Sequence, residues 1–239
     1  MAVEGKLKLT EETTLLVSRL VGRIVHDFNN PLAAIIGFAD LLQNPNIKPE
    51  KQTRYVKRIH EQAVKLGDMV DNMATFTAIP APEISAQDLR RVASDVHALR
   101  CGAMDRSGTT LTLRCPEEPV NAMADRAIVS RILNSLLNNV EQTFKESPDG
   151  ERRALLECGQ SDKGPYIAVG DSGPGIDADI SQQVFEPFFS TRKSGGLGLG
   201  LTVSNGLARK LGGDLLLDAS TDDQYPGARL VLYLPPQNG

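Results

Sequence analysis

Val25-His26-Asp27-Phe28-Asn29-Asn30-Pro31-Leu32 sets an imidazole, an adjoining acid and, one helical turn on, an amide into a long stretch of apolar periodicity. Val17, Ile24, Pro31 and Phe38 recur every seven residues, and Val21, Phe28, Ile35 and Leu42 form a second sevenfold series four positions on. These rows are the d and a positions of a heptad, the seam of a helix bundle. They predict one helix over 9–44. In that register His26 falls at f, farthest from the seam, and Asn30 lies one turn on along the same outer face. Pro31 removes a backbone hydrogen bond inside the helix and predicts a bend just past His26.

Gln43 to Pro49 breaks the pattern and reads as a turn. A second helix is predicted over 50–78, where Tyr55, Ile59, Gln62, Leu66, Met69, Met73 and Phe76 alternate four- and three-residue spacings. Two such helices make a hairpin whose apolar stripe has little else to cover it. A second copy would close a four-helix bundle, so a homodimer is expected.

Ile79-Pro80-Ala81-Pro82 marks a boundary, and a mixed pattern follows it. Residues 86–104 are expected to be helical, with Leu89, Val92, Val96 and Leu99 on one face. Strands are expected at 109–114, 154–159, 166–170, 214–219 and 228–234, and helices at 125–144 and 199–211. That mixture predicts an α+β sandwich, a mostly antiparallel sheet with helices on one face. The domains are therefore 1–79, a linker at 80–82, and 83–239.

The 239 residues carry a net charge of −4, so no basic footprint for nucleic acid or anionic lipid is present. Aromatics are 5% and Trp is absent, which disfavours a sugar- or base-stacking surface. No apolar run approaches the roughly 20 residues of a membrane span, and residues 1–13 lack a signal-peptide core. Cys101, Cys115 and Cys158 are odd in number and show no metal-ligand spacing. They read as structural residues of a reduced, cytoplasmic compartment, with nothing in the sequence to support redox sensing.

Four further stretches carry chemistry. Asp171-Ser-Gly173-Pro-Gly175-Ile follows an apolar strand; its acid can accept from an exocyclic amine such as that of adenine, although the same pattern is also an ordinary turn. Gly195-Gly196-Leu-Gly198-Leu-Gly200-Leu opens a helix, so its backbone N–H groups and the helix dipole suit phosphate. It is neither a Rossmann fingerprint nor a P-loop. Phe185-Glu-Pro-Phe-Phe-Ser-Thr-Arg192-Lys193 supplies two cations beside that loop, either of which, taken alone, is equally a solvated base. Asn134 and Asn138 stand four apart on one helix, where an amide oxygen can ligate magnesium; a merely polar helix face is the alternative.

Together these motifs resemble, in order and over about 15–235, the catalytic core of a two-component sensor histidine kinase: H box at 26–32, N box at 134–139, glycine boxes at 171–176 and 196–201, and F box at 185–192. The resemblance implies a HisKA-type dimerisation and phosphoacceptor hairpin, followed by a Bergerat-type ATP-binding domain. It implies that His26 is the phosphoacceptor, Asp27 its assisting acid and Asn30 the amide that places water for phosphatase action. Asn138 becomes the magnesium ligand, Asn134 its partner and Asp171 the reader of adenine. Gly173, Gly175, Gly196, Gly198 and Gly200 shape the nucleotide pocket and its lid. ATP and magnesium are the implied cofactors, and a homodimer and a response-regulator receiver domain the implied partners.

An imidazole of ordinary pKa, about 6.5, is mostly neutral at pH 7. Asp27 is therefore not needed to create the nucleophile; its expected work is to hold the far ring N–H as charge grows. ATPases of the same superfamily, such as gyrase and the heat-shock chaperone, carry a Glu where this chain has Asn134, which implies slow hydrolysis here. Several positions depart from the family pattern. Asn139 replaces a small residue, Glu141 and Gln142 replace frequently basic or aromatic residues, Leu197 replaces Thr or Ser, and the lid is short. These departures motivate an alternative, a histidine phosphotransfer adaptor with a degenerate nucleotide pocket. His60 and His97 read as solvated. No sensor or receiver domain is read in the chain, so it is either a fragment of a longer sensor or takes its input from a partner.

Overall fold

The computed structural model describes residues 11–77, 81–147, 150–192, 198–218 and 222–237. The chain divides into two compact units between Ala74 and Thr75. In the first, α1 (Glu11–Leu42) and α2 (Pro49–Thr77) form a hairpin. Helix α1 runs unbroken through Pro31. The described seam residues of α1 face inward: Pro31 is buried, and Ile24, Phe28, Ile35, Phe38 and Leu42 are half-buried. Phe38 meets Tyr55 of α2 with ring centroids 5.5 Å apart, so the two predicted rows pack on each other. Asn44 closes the connecting turn, its side chain accepting from Asn46 N at 2.9 Å. Pro49 opens α2, where a missing N–H costs nothing, and Glu50 complements the helix dipole.

The second unit runs β1 (Ser85–Asp88), α3 (Leu89–Arg106), β2 (Thr110–Arg114), β3 (Asn121–Ala124), α4 (Arg126–Glu146), β4 (Arg153–Ser161), β5 (Gly164–Asp171), two short 3-10 turns, α5 (Gly200–Lys210), β6 (Asp214–Asp218) and β7 (Arg229–Tyr233). The five-stranded sheet has the order β2-β4-β5-β7-β6. Its β2–β4 pair is parallel and the rest are antiparallel. Strands β1 and β3 pair separately. Helices α3, α4 and α5 bury Val92, Val96, Ile132, Leu136, Leu137 and Leu207 against Leu156, Ile167 and Leu232 of the sheet. This is the predicted α+β sandwich.

Three local expectations are corrected. Residues 86–88 are strand, not helix, because Asp88 is the N-cap: its carboxylate accepts from Arg90 N and so fixes the start of α3 at Leu89. Asp125 caps α4 in the same way, accepting from Ala127 N and Ile128 N at 2.8 and 3.1 Å. Leu99 does not join the apolar face; it is 76% exposed, and Arg100 takes the inward place. His97 is half-buried rather than solvated, its Nε2 lying 3.0 Å from Leu111 O and tying α3 to β2.

Candidate functional site

Each of the two units carries its own candidate residues. On α1 the His26 side chain is 73% exposed while that of Asp27 is 11% exposed. Asp27 Oδ1 lies 3.3 Å from His26 Nδ1, and Asn30 Nδ2 lies 3.5 Å from the same nitrogen. These two neighbours demand opposite tautomers, since a carboxylate needs Nδ1–H and an amide N–H needs a lone pair there. The carboxylate prevails as the charged and closer partner. The amide of Asn30 then turns its oxygen to the ring or serves another group, an orientation set by the hydrogen-bond network. With Nδ1 engaged, Nε2 is the nitrogen left to a reagent. The Asp27 carbonyl loses its donor four residues on, because Pro31 has no N–H.

In the second unit, Asp171 ends β5 and is 5% exposed. Its Oδ1 accepts from Gly173 N at 2.7 Å and from Ala228 N at 3.4 Å. Burial raises the pKa of its carboxyl, and the two backbone donors only partly offset that. Gly227, absent from the sequence prediction, makes this seat. A Cβ there would lie 2.1 Å from Asp171 Oδ1 and 2.7 Å from Gly173 N, so no side chain fits. The Pro226-Gly227 dipeptide was its only sequence signal, and it reads as an ordinary turn. Gly175 backs onto Gly227, and Gly173 onto Thr143 and Phe144 of α4.

The F-box segment meets the glycine loop at Gly198, whose carbonyl accepts from Phe188 N at 3.1 Å. Gly198 has φ +61°, and a Cβ on it would lie 2.3 Å from Phe189 O. Phe188 also has positive φ, +65°, a costly conformation for a non-glycine residue. Gly200 starts α5 and packs on α4, 3.4 Å separating its Cβ direction from Ser135 Oγ. Lys193 and Gly196 lie outside the described residues.

Asn134 and Asn138 share one face of α4, as predicted. Asn134 Nδ2 donates to Ser130 O at 2.9 Å, and Asn138 Oδ1 accepts from Arg100 Nη1 at 2.8 Å. Arg100 also donates to Glu141 Oε2 at 2.7 Å. Arg192 sits over the same turn, donating to Gln142 Oε1, to Asn139 Oδ1 at 3.0 Å and to Asn139 O at 3.4 Å. Burial lowers the pKa of Arg192, with Glu146 opposing through space. A cavity of about 660 Å³ at the β2–β4 edge, lined by Arg114, Cys115, Cys158 and Tyr166, contains none of the predicted residues. Cys158 donates to Cys115 across 2.9 Å there, a juxtaposition the sequence did not reveal. Among the described residues no His/Cys/Asp/Glu cluster of metal-binding size is present, and no helix is long and apolar enough to cross a membrane.

Residues 16–82 match the His Kinase A (phospho-acceptor) domain, and residues 124–238 match the histidine kinase-, DNA gyrase B- and HSP90-like ATPase family. Sensor protein GtcS of Aneurinibacillus migulanus is 28% identical over 208 residues, which cover 84% of this chain and 54% of that protein. The C4-dicarboxylate transport sensor protein DctB of Pseudomonas aeruginosa is 30% identical over 237 residues, 96% of this chain and 36% of its own length. The chain thus spans about half or less of these relatives. Histidine kinase ThkA, solved in complex with response regulator TrrA, superposes with a TM-score of 0.73 at 19% identity, over 95% of this chain and 64% of that one. Acinetobacter baumannii histidine kinase AdeS gives a TM-score of 0.63 at 16% identity, over 89% of this chain and 98% of that one. A phospho-acceptor hairpin followed by an ATPase-type α/β unit places this chain in the two-component histidine kinase family, as its catalytic core.

Proposed function

We propose that the chain autophosphorylates His26 from ATP and passes the phosphoryl group to an aspartate of a response-regulator receiver domain. The observation that carries this is the exposed imidazole whose Nδ1 is engaged by a buried carboxylate, leaving Nε2 outward. Nε2 attacks the γ-phosphorus with its lone pair, the bond to the ADP oxygen breaks, and the ring becomes cationic. Asp27 holds Nδ1–H and stabilises that charge, as a triad acid does. The rest is positioning.

The residues present fit ATP as substrate. Gly227 and Gly173 leave a seat at Asp171 that a Cβ would fill, and among the described residues the hydrogen bonds to that carboxylate fall on Oδ1, leaving Oδ2 for an adenine amine. Asn138, with Asn134 beside it, would hold magnesium, which supplies charge neutralisation between phosphates when bound. Asn138 Oδ1 must first give up Arg100. Residues 1–79 then serve dimerisation and phosphotransfer, 80–82 link, and 83–239 bind nucleotide. A homodimer is supported by a second apolar row that the hairpin leaves exposed: Val25, Leu32 and Ile36 on α1, Val56 and Val70 on α2. A cytoplasmic location accords with a reaction that consumes ATP.

Labelled ATP with magnesium should give acid-labile label on the wild type and none on His26→Ala. Full labelling of His26→Ala refutes the assignment. Asn30, 3.5 Å from the His26 ring, favours a second activity, hydrolysis of the phosphorylated receiver, in which its amide orients water.

A further inference from the structure

One turn of α4, Asn138 to Gln142, holds two arginines from different parts of the unit. Asn138 and Glu141 hold Arg100 of α3, and Asn139 and Gln142 hold Arg192 of the F-box segment. Each pair is spaced i, i+3, so each guanidinium bridges neighbouring positions of the turn, the two pairs set about 100° apart around the helix. The N-terminus of α5 borders the same turn, with Asn139 Oδ1 3.8 Å from the position a Cβ on Gly200 would take. Two guanidiniums, one paired with Glu141, and a helix N-terminus thus border one turn of α4.

The Arg100 bonds are incompletely matched to that cation. One N–H goes to the carboxylate of Glu141, one goes to a neutral amide oxygen, and Nε is buried with no partner among the described residues. An arginine recruited only to balance Glu141 would put two donors on that carboxylate. Here Nη1 instead covers Asn138 Oδ1, the oxygen a metal would need. Were Asn138 to hold a magnesium ion, that charge would disfavour the Arg100 hydrogen bond to the same oxygen, while Glu141 would keep the side chain on α4. Nη1 and the unmatched Nε are then the donors offered to phosphate oxygen.

Resting on the nucleotide reading above, we propose that Arg100 is a phosphate-binding residue of this pocket, anchored by Glu141 and parked on Asn138 Oδ1 until nucleotide enters. The cation that the N box lacks at position 141 is thereby supplied from α3.

Titration calorimetry with AMP-PNP plus magnesium, and separately with adenosine, tests this on the full chain. The paired variant Arg100→Gln/Glu141→Gln removes both charges together, so no buried charge is left alone and the fold is kept, as a urea midpoint checks. AMP-PNP affinity should fall by about tenfold or more, the worth of a charge-assisted phosphate contact. Adenosine affinity should stay unchanged. Unchanged AMP-PNP affinity overturns the proposal, and so does an equal loss for both ligands, which marks a structural role. If the wild type binds neither ligand, nucleotide binding itself is refuted; if it binds both and the variant keeps their ratio, only the role of Arg100 is.

Discussion

Replacing Asp171 by Asn separates what this acid does for the fold from what it does for a ligand. The carboxyl is 5% exposed and burial raises its pKa, so folding disfavours its ionised form relative to the unfolded chain. Each unit of such a rise corresponds to about 1.4 kcal/mol. Asn keeps an oxygen for Gly173 N and Ala228 N, and its new N–H2, left without an acceptor, returns part of the gain. The net expectation is a variant more stable than the wild type at neutral pH.

The pH dependence has a definite sign. A folded-state pKa above the ordinary carboxyl value means that the contribution of Asp171 is most favourable below that ordinary value and is lost as pH rises through the folded pKa. The advantage of Asp171→Asn should therefore be largest at neutral pH and vanish in acid. Nucleotide binding should move the other way. Losing an acceptor for the adenine amine and gaining a donor in its place costs about 1.5–3 kcal/mol, a weakening of about 10- to 100-fold. Urea denaturation from pH 4 to 8 and calorimetry with AMP-PNP measure both quantities. Nucleotide affinity within twofold of wild type, or a variant less stable at pH 7 than at pH 4 relative to wild type, would refute the reasoning.

Gly198→Ala, at φ +61° and with its Cβ 2.3 Å from Phe189 O, should destabilise the ATPase-type unit by about 2–4 kcal/mol in urea titration. Gly102→Ala, in mid-helix with only Arg106 Nη1 at 3.6 Å, should stabilise it by about 0.5–1 kcal/mol. Asn30→Ala should slow dephosphorylation of a phosphorylated receiver by about tenfold or more while labelling of His26 persists; equal loss of both activities would count against a water-placing role. Cys115 and Cys158, with sulfurs 2.9 Å apart, should exchange with a small-molecule disulfide to give an intramolecular disulfide and two released thiols. Peptide mapping that finds Cys115 only as a mixed disulfide would show the pair too constrained to close.

The hairpin was legible because heptads fix a phase: once Phe28, Pro31, Ile35 and Phe38 define the seam, His26 has to face outward, and it does. The sheet was legible where strands alternate or run apolar, as in Arg153–Ser161 and Gly164–Asp171. Strands β1 and β3, four residues each, were not, since Ser85–Asp88 carries no apolar alternation and pairs only through register with Asn121–Ala124. Position 99 shows the limit of periodicity. After Val96 both 99 and 100 lie near the same helix face, and hydrophobicity alone selects Leu99. The structure selects Arg100, because Asn138 and Glu141, some 40 residues on, wait for it across the α3–α4 contact. Gly227 and the Cys115–Cys158 contact were hidden for the same reason, being products of strand register and loop closure and not of local pattern.

The arginines of the second unit show how the same side chain serves fold or ligand according to what faces it. On the sheet surface away from the helices, Glu157 accepts from Arg229 at 2.8 Å and from Tyr166 at 2.9 Å, while Asp218 also pairs with Arg229 and Asp222 with Arg114. Burial works against the charge of Arg229, yet Glu157 and Asp218 outweigh it and its pKa is raised. Burial and the neighbouring carboxylate push Tyr166 up to about 12. That network largely cancels its own charge. Arg192 is half-buried, its hydrogen bonds end on the neutral oxygens of Asn139 and Gln142, and desolvation lowers its pKa. A partly desolvated cation without a carboxylate on its donors costs the folded protein free energy, which an incoming anion recovers. Asn139 and Gln142, which depart from the family pattern, are the residues that hold this charge in place. They therefore argue for a pocket rebuilt around phosphate and against a degenerate one.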